Sequence, residues 1–248
     1  RHGEEFKRAF AASTVHDFFN ILAVLIFFPL EMMFGILEKS ASWLGVMLFG
    51  TLSTEEVFKS PIKAAIKWGS KQVQLLSPDN NIIFIVISVF ITFLMLYAIV
   101  KLLRSLVLEK VEAFFDTYIF KTAIRAMIFG VFLTISVQSS SITTSTVIPL
   151  AGAGVLTLRQ IYPFTLGANI GTTVTALLAS MTLNVTAMVA SFAHLFFNIF
   201  GILLVYANPL LRDIPPKMSE KFSDLSQKSK LFPIMYLLVV FFLVPFLI

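Results

Sequence analysis

The 248-residue chain contains no cysteine, which excludes disulfides, thiolate nucleophiles and metal sites built on cysteine. Charge is also scarce, since 13% of the residues are charged against about a quarter in a typical soluble domain. In their place, 57% of the residues are hydrophobic and 27 are phenylalanine. The apolar runs are continuous rather than alternating, so they indicate membrane-spanning helices and not strands. We therefore expect an all-α membrane protein, a polytopic helical bundle.

The net charge of +5 does not indicate a nucleic-acid partner. The basic residues lie between the apolar runs, where we expect them to face the cytoplasm and anionic lipid head groups. This rule assigns 101–125 and 207–230 to the cytoplasm and 38–81 to the outside. Lysines at every fourth residue of 38–81 favour an amphipathic helix at the membrane surface, and a solvated loop helix fits them equally well. The lysines are Lys59, Lys63, Lys67 and Lys71.

One stretch, 137–175, combines apolar sequence with small hydroxyls, amides and glycines. Such groups are costly at membrane depth unless they are buried in protein or line a watery cavity. They gather at two points, 138–141 and 167–173, and we predict that a membrane helix is broken at each. Between the breaks, Pro149, Gly152 and Gly154 predict a short re-entrant half helix.

A broken helix offers two kinds of ion site. The N-terminus of a half helix favours an anion, and unwound carbonyl groups favour a cation. Serine and threonine hydroxyls can donate to an oxyanion or coordinate sodium through oxygen. The alternative is structural, with each hydroxyl bonded to its own helix or joining two helices. The density of polar groups at 138–141 and 167–173 favours a ligand site over that alternative.

Two stretches of the chain match each other. Residues 11–25 and 189–203 share the pattern Ser-x-x-His-x-Phe-Phe-Asn-Ile. The charge rule makes the first copy leave the cytoplasm and the second return to it, which is typical of transporters with inverted repeats. We expect 1–37 to end the first repeat, 38–81 to be an external connection with the amphipathic helix, and 82–248 to be the second repeat with the broken-helix site.

The polar motifs resemble a known family. The sequence is similar to the second repeat of type II sodium–phosphate cotransporters of the bacterial type. The similarity lies in Gln138-Ser139-Ser140-Ser141, in 149–150 and 162–163, and in Leu-Gly-Ala-Asn-Ile-Gly-Thr-Thr at 166–173. Residues 14–20 resemble the end of that family's first repeat. The resemblance implies a secondary transporter that moves inorganic phosphate together with sodium. It does not imply an enzyme. It implies no cofactor besides the co-transported sodium, and a multi-pass protein of the plasma membrane or bacterial inner membrane.

Carried over residue by residue, the resemblance implies two sets of ligands. Those for phosphate are Ser139, Ser140 and Ser141. Those for sodium are Gln138, Asn169, Thr172, Thr173 and Thr175. Many relatives have serine where Ala168 stands, so one hydroxyl is missing here.

The partner motif of the first repeat does not occur in this sequence. The chain starts at Arg1 and stops inside an apolar run at Ile248, and we expect both ends to be truncated. Residues 1–248 would then hold half of the transport site. The expected partners are phosphate, sodium, the lipid bilayer and the missing first-repeat segment of the same protein.

Three other functions are weighed against this one. A sodium-coupled transporter of another small oxyanion would use the same motifs. An intramembrane enzyme with a serine nucleophile needs a base beside the serines, but His16 and His194 lie far from them in sequence. A scaffold that transports nothing leaves the polar breaks unexplained.

Overall fold

The computed structural model describes residues 2–49, 61–75, 81–108, 118–181, 185–229, 231–243 and 246. Every regular element in these ranges is helical, which confirms the predicted all-α membrane protein. The helices are α1 (His2–Phe34), α2 (Ile36–Phe49), α3 (Pro61–Leu75), α4 (Asn81–Leu108), α5 (Ala123–Val137), α6 (Ser140–Ala153), α7 (Leu158–Ser180), α8 (Val185–Gly201), α9 (Ile214–Lys228) and α10 (Leu231–Leu238). Within the described part, Gly3–Phe34 and Val185–Tyr206 are long and apolar enough to cross a membrane.

Helix α7 lies at the centre of the bundle. All of residues 161–168 are buried, as expected for a helix that packs on every side. On one side Phe164 packs with Leu133 of α5 and Leu150 of α6. On another side Tyr162 packs with Phe19 of α1 and with Val205, which follows α8.

The backbones of α5 and α7 are nearly in contact. A Cβ atom built on Gly167 would lie 1.9 Å from the carbonyl oxygen of Met127, and one on Gly130 would lie 2.2 Å from that of Phe164. No side chain fits at either position. In a membrane, where lipid is as apolar as a leucine side chain, small residues of this kind let helices associate through close packing.

The predicted break at 167–173 is wrong, because α7 is continuous from Leu158 to Ser180. Gly167 and Gly171 lie one helical turn apart on the side that faces α5. A glycine inside a helix costs about 1 kcal/mol relative to alanine, which is small beside the packing that its absent side chain permits here. These glycines are therefore helix-packing residues.

A line of serines joins α9 to α1. Ser219, Ser223 and Ser226 are buried. The Ser223 hydroxyl donates to the Lys7 carbonyl at 2.7 Å, and the hydroxyls of Ser219 and Thr14 are 2.9 Å apart. Residues 214–228, which the sequence placed in a polar connection, thus form a helix that is fixed to the first helix of the chain.

Helices α1 and α2 meet at Gly35. Gly35 has φ +59°, which ends α1, and the Glu31 carboxylate accepts the amide protons of Leu37 (2.6 Å) and Glu38 (3.0 Å) at the start of α2. Ala41 of α2 is buried against α8. Residues 36–49 are therefore helical and packed, although the predicted external connection begins at 38.

The outer helices agree with two expectations. A helix at 61–75 matches the predicted amphipathic helix, and Lys67 and Lys71 are exposed on it; Lys59 lies outside the described residues. Between residues 82 and 97, helix α4 exposes large apolar side chains, as a helix facing lipid would. Those side chains include Ile82, Val86, Phe90, Phe93 and Tyr97.

The two repeat copies meet in opposite directions. Gly201 of α8 lies beside Phe19 of α1. Phe27, two turns further along α1, packs against Phe197 and Phe200, with ring centroids 6.1 and 6.3 Å away. Advancing along α1 therefore means moving back along α8, so the helices are antiparallel, as predicted for inverted repeats.

The glycine contact can be tested by adding one methyl group. We expect Gly167→Ala to destabilise the protein by about 1–3 kcal/mol, because the methyl would overlap the Met127 carbonyl. Gly69→Ala is the control: an added Cβ there meets no described atom within 4 Å, so its stability should be unchanged or slightly higher. Thermal unfolding in detergent measures both, and equal midpoints for the two variants would contradict the packing role.

Candidate functional site

The chain reverses direction at Gln138. This residue has φ +56° and ψ 27°, and its amide donates to the Thr134 carbonyl at 2.7 Å to end α5. A left-handed backbone costs a residue with a side chain about 1–2 kcal/mol, and glycine usually takes such positions. The predicted break at 138–141 is therefore confirmed, and a glutamine is held in strained geometry there.

The next helix starts one residue later. Ser139 is extended, with φ −152°, and its Oγ accepts the amide proton of Ile142 at 3.3 Å, as an N-cap does. Because Oγ accepts this bond, the Ser139 hydroxyl proton can be donated to another group. Ser140 and Ser141 form the first turn of α6, where amide groups point back along the helix axis toward the break. Gln138 and Ser141 are exposed, while Ser139 and Ser140 are half-buried.

The far end of α6 is fixed to α1. Gly154, with φ +80°, ends the helix, and Arg8 donates to the Gly152 carbonyl from Nε at 3.0 Å and from Nη2 at 2.7 Å. The 14 residues of α6 extend for about 21 Å, short of the ~30 Å of a bilayer core. This matches the predicted re-entrant half helix, except that Pro149 lies within the helix and does not break it.

The helix directions bring the break close to the end of α7. Met127 faces Gly167 and Thr134 faces Gly171, so α5 and α7 are parallel. Phe120, just before α5, packs against Phe164 near the start of α7, with centroids 5.5 Å apart. Because α6 ends where α7 starts, α6 runs back against α5. Continuing the register by one turn places Gln138 at the level of Thr175.

The three threonines of α7 that were predicted to bind sodium each donate to the backbone of their own helix. Thr172 donates to the Ala168 carbonyl at 3.1 Å, Thr173 to Ile170 at 2.7 Å, and Thr175 to Thr172 at 2.7 Å. A hydroxyl that donates its proton still carries oxygen lone pairs, so each can also coordinate a cation. Thr173 is fully buried, and the 100° turn per residue places it on nearly the opposite side of α7 from Thr175. The fold does not bring these two together.

Asn169 links α7 to the first helix. Its Nδ2 donates to Oδ1 of Asn20 at 2.9 Å, and both side chains are half-buried. Sequence reasoning found Asn20 only as a repeat position and missed it as a neighbour of the site. The available signal was its place in the repeat, where an amide recurs as Asn198 within an otherwise apolar run.

Comparison with known proteins gives related findings. A family model described as Na+/Pi-cotransporter matches residues 92–208, which include α5, α6, α7 and α8. The sodium-dependent phosphate transport protein 2B of Bos taurus is 32% identical, over 98% of this chain and 48% of that protein. Protein 2A of Rattus norvegicus is 30% identical, over 98% and 50%, and human protein 2B is 29% identical, over 97% and 48%.

The chain thus spans about half the length of the curated relatives it matches. No solved structure matches it. The family match spans the Gln138 break and the whole of α7, where the motifs that suggested the resemblance lie. The family match and these relatives support the resemblance to type II sodium–phosphate cotransporters, which are transporters and not enzymes.

Proposed function

We propose that this chain supplies half of the transport site of a sodium-coupled phosphate symporter in the plasma membrane or bacterial inner membrane. The observation that carries the proposal is the reversal at Gln138, where neutral hydroxyls surround the N-terminus of a short helix. Relatives named sodium-dependent phosphate transport proteins align over nearly the whole chain, and this supports the choice of substrate and driving ion.

Phosphate would bind at the start of α6. The positive end of the helix dipole and the amides of the first turn favour an anion there. Ser139, Ser140 and Ser141 would donate their hydroxyl protons to phosphate oxygens. A site of neutral donors holds an oxyanion less tightly than one with arginine or lysine. This suits a substrate that must be released at each cycle.

Sodium would bind between the break and α7. Gln138, Thr172 and Thr175 offer neutral oxygens, and Asn169 adds a carbonyl oxygen whose amide nitrogen is held by Asn20. Oxygen ligands suit hard cations. A bound cation would also offset the charge of the neighbouring phosphate, which gives a physical reason for coupling the two ions. Thr173 is left out of this set because it lies on the other side of α7.

The rest of the site would come from the remainder of the whole protein. Gln138 and Ser141 are exposed, and the chain covers about half of its relatives. Its helices also contain two copies of one repeat in opposite directions. We infer that an inverted counterpart of α5–α7, with its own Gln-Ser-Ser-Ser, faces this surface and encloses the ions near the middle of the membrane.

Uptake of radiolabelled phosphate by the whole protein in proteoliposomes tests this function. We expect replacement of sodium by potassium to abolish uptake, and Ser140→Ala to reduce it by about tenfold or more, as for the loss of one good hydrogen bond to an anion. Ser136→Ala is the matched control, since Ser136 is exposed on α5 and bonds only to its own helix at Phe132. Uptake that does not need sodium, or that transports other oxyanions and not phosphate, would contradict the proposal.

Replacing Gln138 with glycine should affect protein stability and sodium-dependent transport differently. Gln138→Gly should leave stability unchanged or raise it by up to about 1 kcal/mol, because glycine removes the left-handed strain but loses more freedom on folding. The same change removes an oxygen from the sodium site, so sodium-dependent uptake should fall. Thermal unfolding and uptake are measured together. If the glycine variant transports as well as the wild type, the side chain is not a ligand.

A further inference from the structure

Three buried side-chain atoms in the described part of the chain have no hydrogen-bond partner. They are His16 Nδ1, Thr134 Oγ1 and Tyr162 Oη. Thr134 is distinct among them because it lies in the last turn of α5, and its carbonyl accepts the Gln138 amide that ends the helix. Its side chain is fully buried. Buried polar atoms are nearly always paired, so an unpaired oxygen beside a proposed ion site needs an explanation.

The neighbours of Thr134 form two interlocking ridges. A Cβ atom built on Gly171 would lie 2.6 Å from Cβ of Thr134 and 3.0 Å from its Cγ2. Thr134 is therefore seated directly on the glycine of α7. On that helix the ridge continues with Thr175, four residues after Gly171, and on α5 it continues with Gln138, four residues after Thr134. Both continuations are proposed sodium ligands.

Other hydroxyls in α5, α6 and α7 make a bond that Thr134 does not make. Ser136 donates to the Phe132 carbonyl at 2.9 Å, Thr143 to Ser139 at 2.9 Å and Thr172 to Ala168 at 3.1 Å, each one turn back. This bond is the ordinary way to satisfy a hydroxyl in an apolar helix. Thr134 Oγ1 lacks it and lies at a tight helix contact, where its oxygen can serve a small ligand that prefers oxygen.

We propose that Thr134 Oγ1 is a further ligand of the transported sodium, next to Gln138 and Thr175. The inference rests on the proposed function, since it assigns a residue to the same ion site. It also gives the close packing of α5 and α7 a second role, because the contact holds the Thr134 oxygen at the point where the two ridges reach the break.

Thr134→Val tests the proposal in the whole transporter, because valine keeps the shape of threonine and removes the oxygen. We expect the sodium concentration for half-maximal phosphate uptake to rise by about tenfold or more, as when a metal site loses one supporting group. The phosphate KM at saturating sodium should stay near the wild-type value. Thr134→Ser, which keeps the hydroxyl, should retain the wild-type sodium dependence.

A second readout separates a ligand from a packing residue. In sodium-free buffer, Thr134→Val should unfold at the same temperature as the wild type or higher, because an unpaired buried oxygen has been removed. The increase in unfolding temperature on adding sodium chloride, relative to choline chloride, should be smaller than in the wild type. Thr165→Val is the control, since Thr165 is equally buried on α7 but donates to the Tyr162 carbonyl at 2.8 Å. It should lower the unfolding temperature and keep the sodium response.

The outcomes distinguish this proposal from the proposed function. Sodium-independent uptake by the wild type overturns both. Sodium-dependent uptake by the wild type, with the same dependence in Thr134→Val, overturns the role of Thr134 alone. If the valine variant does not fold, Thr134→Ala takes its place, and equal sodium dependence of the alanine and serine variants overturns the proposal.

Discussion

The contact between the backbones of α5 and α7 is the constraint on which the rest of the site depends. Lipid offers no hydrophobic force between membrane helices, so two helices must gain their attraction from close packing. Gly130 and Gly167 permit this because neither position has room for a side chain. The contact also sets the register of the two helices. The register of α5 against α7 places Gln138 at the level of Thr175.

The reversal at Gln138 is stable because its polar groups are satisfied locally. Thr134 accepts the last amide of α5, Ser139 caps α6, and Arg8 binds the other end of α6. In a membrane, non-helical backbone is tolerated only where such partners exist or a cavity supplies water. At the break, the Gln138 amide and the Ile142 amide are thus satisfied, while the serine hydroxyls and the remaining amides of the first turn of α6 are available to a ligand.

The sequence was sufficient for features that depend on local chemistry. A glutamine and three serines in an apolar run predicted the first break, and the repeated Ser-x-x-His-x-Phe-Phe-Asn-Ile pattern predicted the antiparallel pair of α1 and α8. Sequence-based prediction was wrong where a residue type fits two structural roles and only a contact with another helix decides between them. Gly167 and Gly171 have the spacing of helix-packing glycines and the composition of a break, and the Met127 carbonyl on another helix settles which applies.

Long-range polar pairs were out of reach for the same reason. Residues 207–230 were predicted to be a basic cytoplasmic connection, because nothing in the sequence showed that the backbone of α1 lies against the serines of α9. Asn20 and Asn169 are 149 positions apart, so no local pattern could join them. The unpaired Thr134 hydroxyl likewise becomes visible only once α7 buries it.

Helix α1 carries the sequence of the first repeat, but it packs against helices of the second repeat. Arg8 fixes the end of α6, Phe19 packs against Tyr162, and Asn20 bonds to Asn169, so the part of α1 from Arg8 to Asn20 supports the second-repeat site. Alternating access in inverted-repeat transporters proceeds largely by movement of one rigid bundle against another. A movement that separated α1 from α6 and α7 would break all of these contacts together. For the proposed transport function, these contacts imply that α1 would move as one unit with α6 and α7.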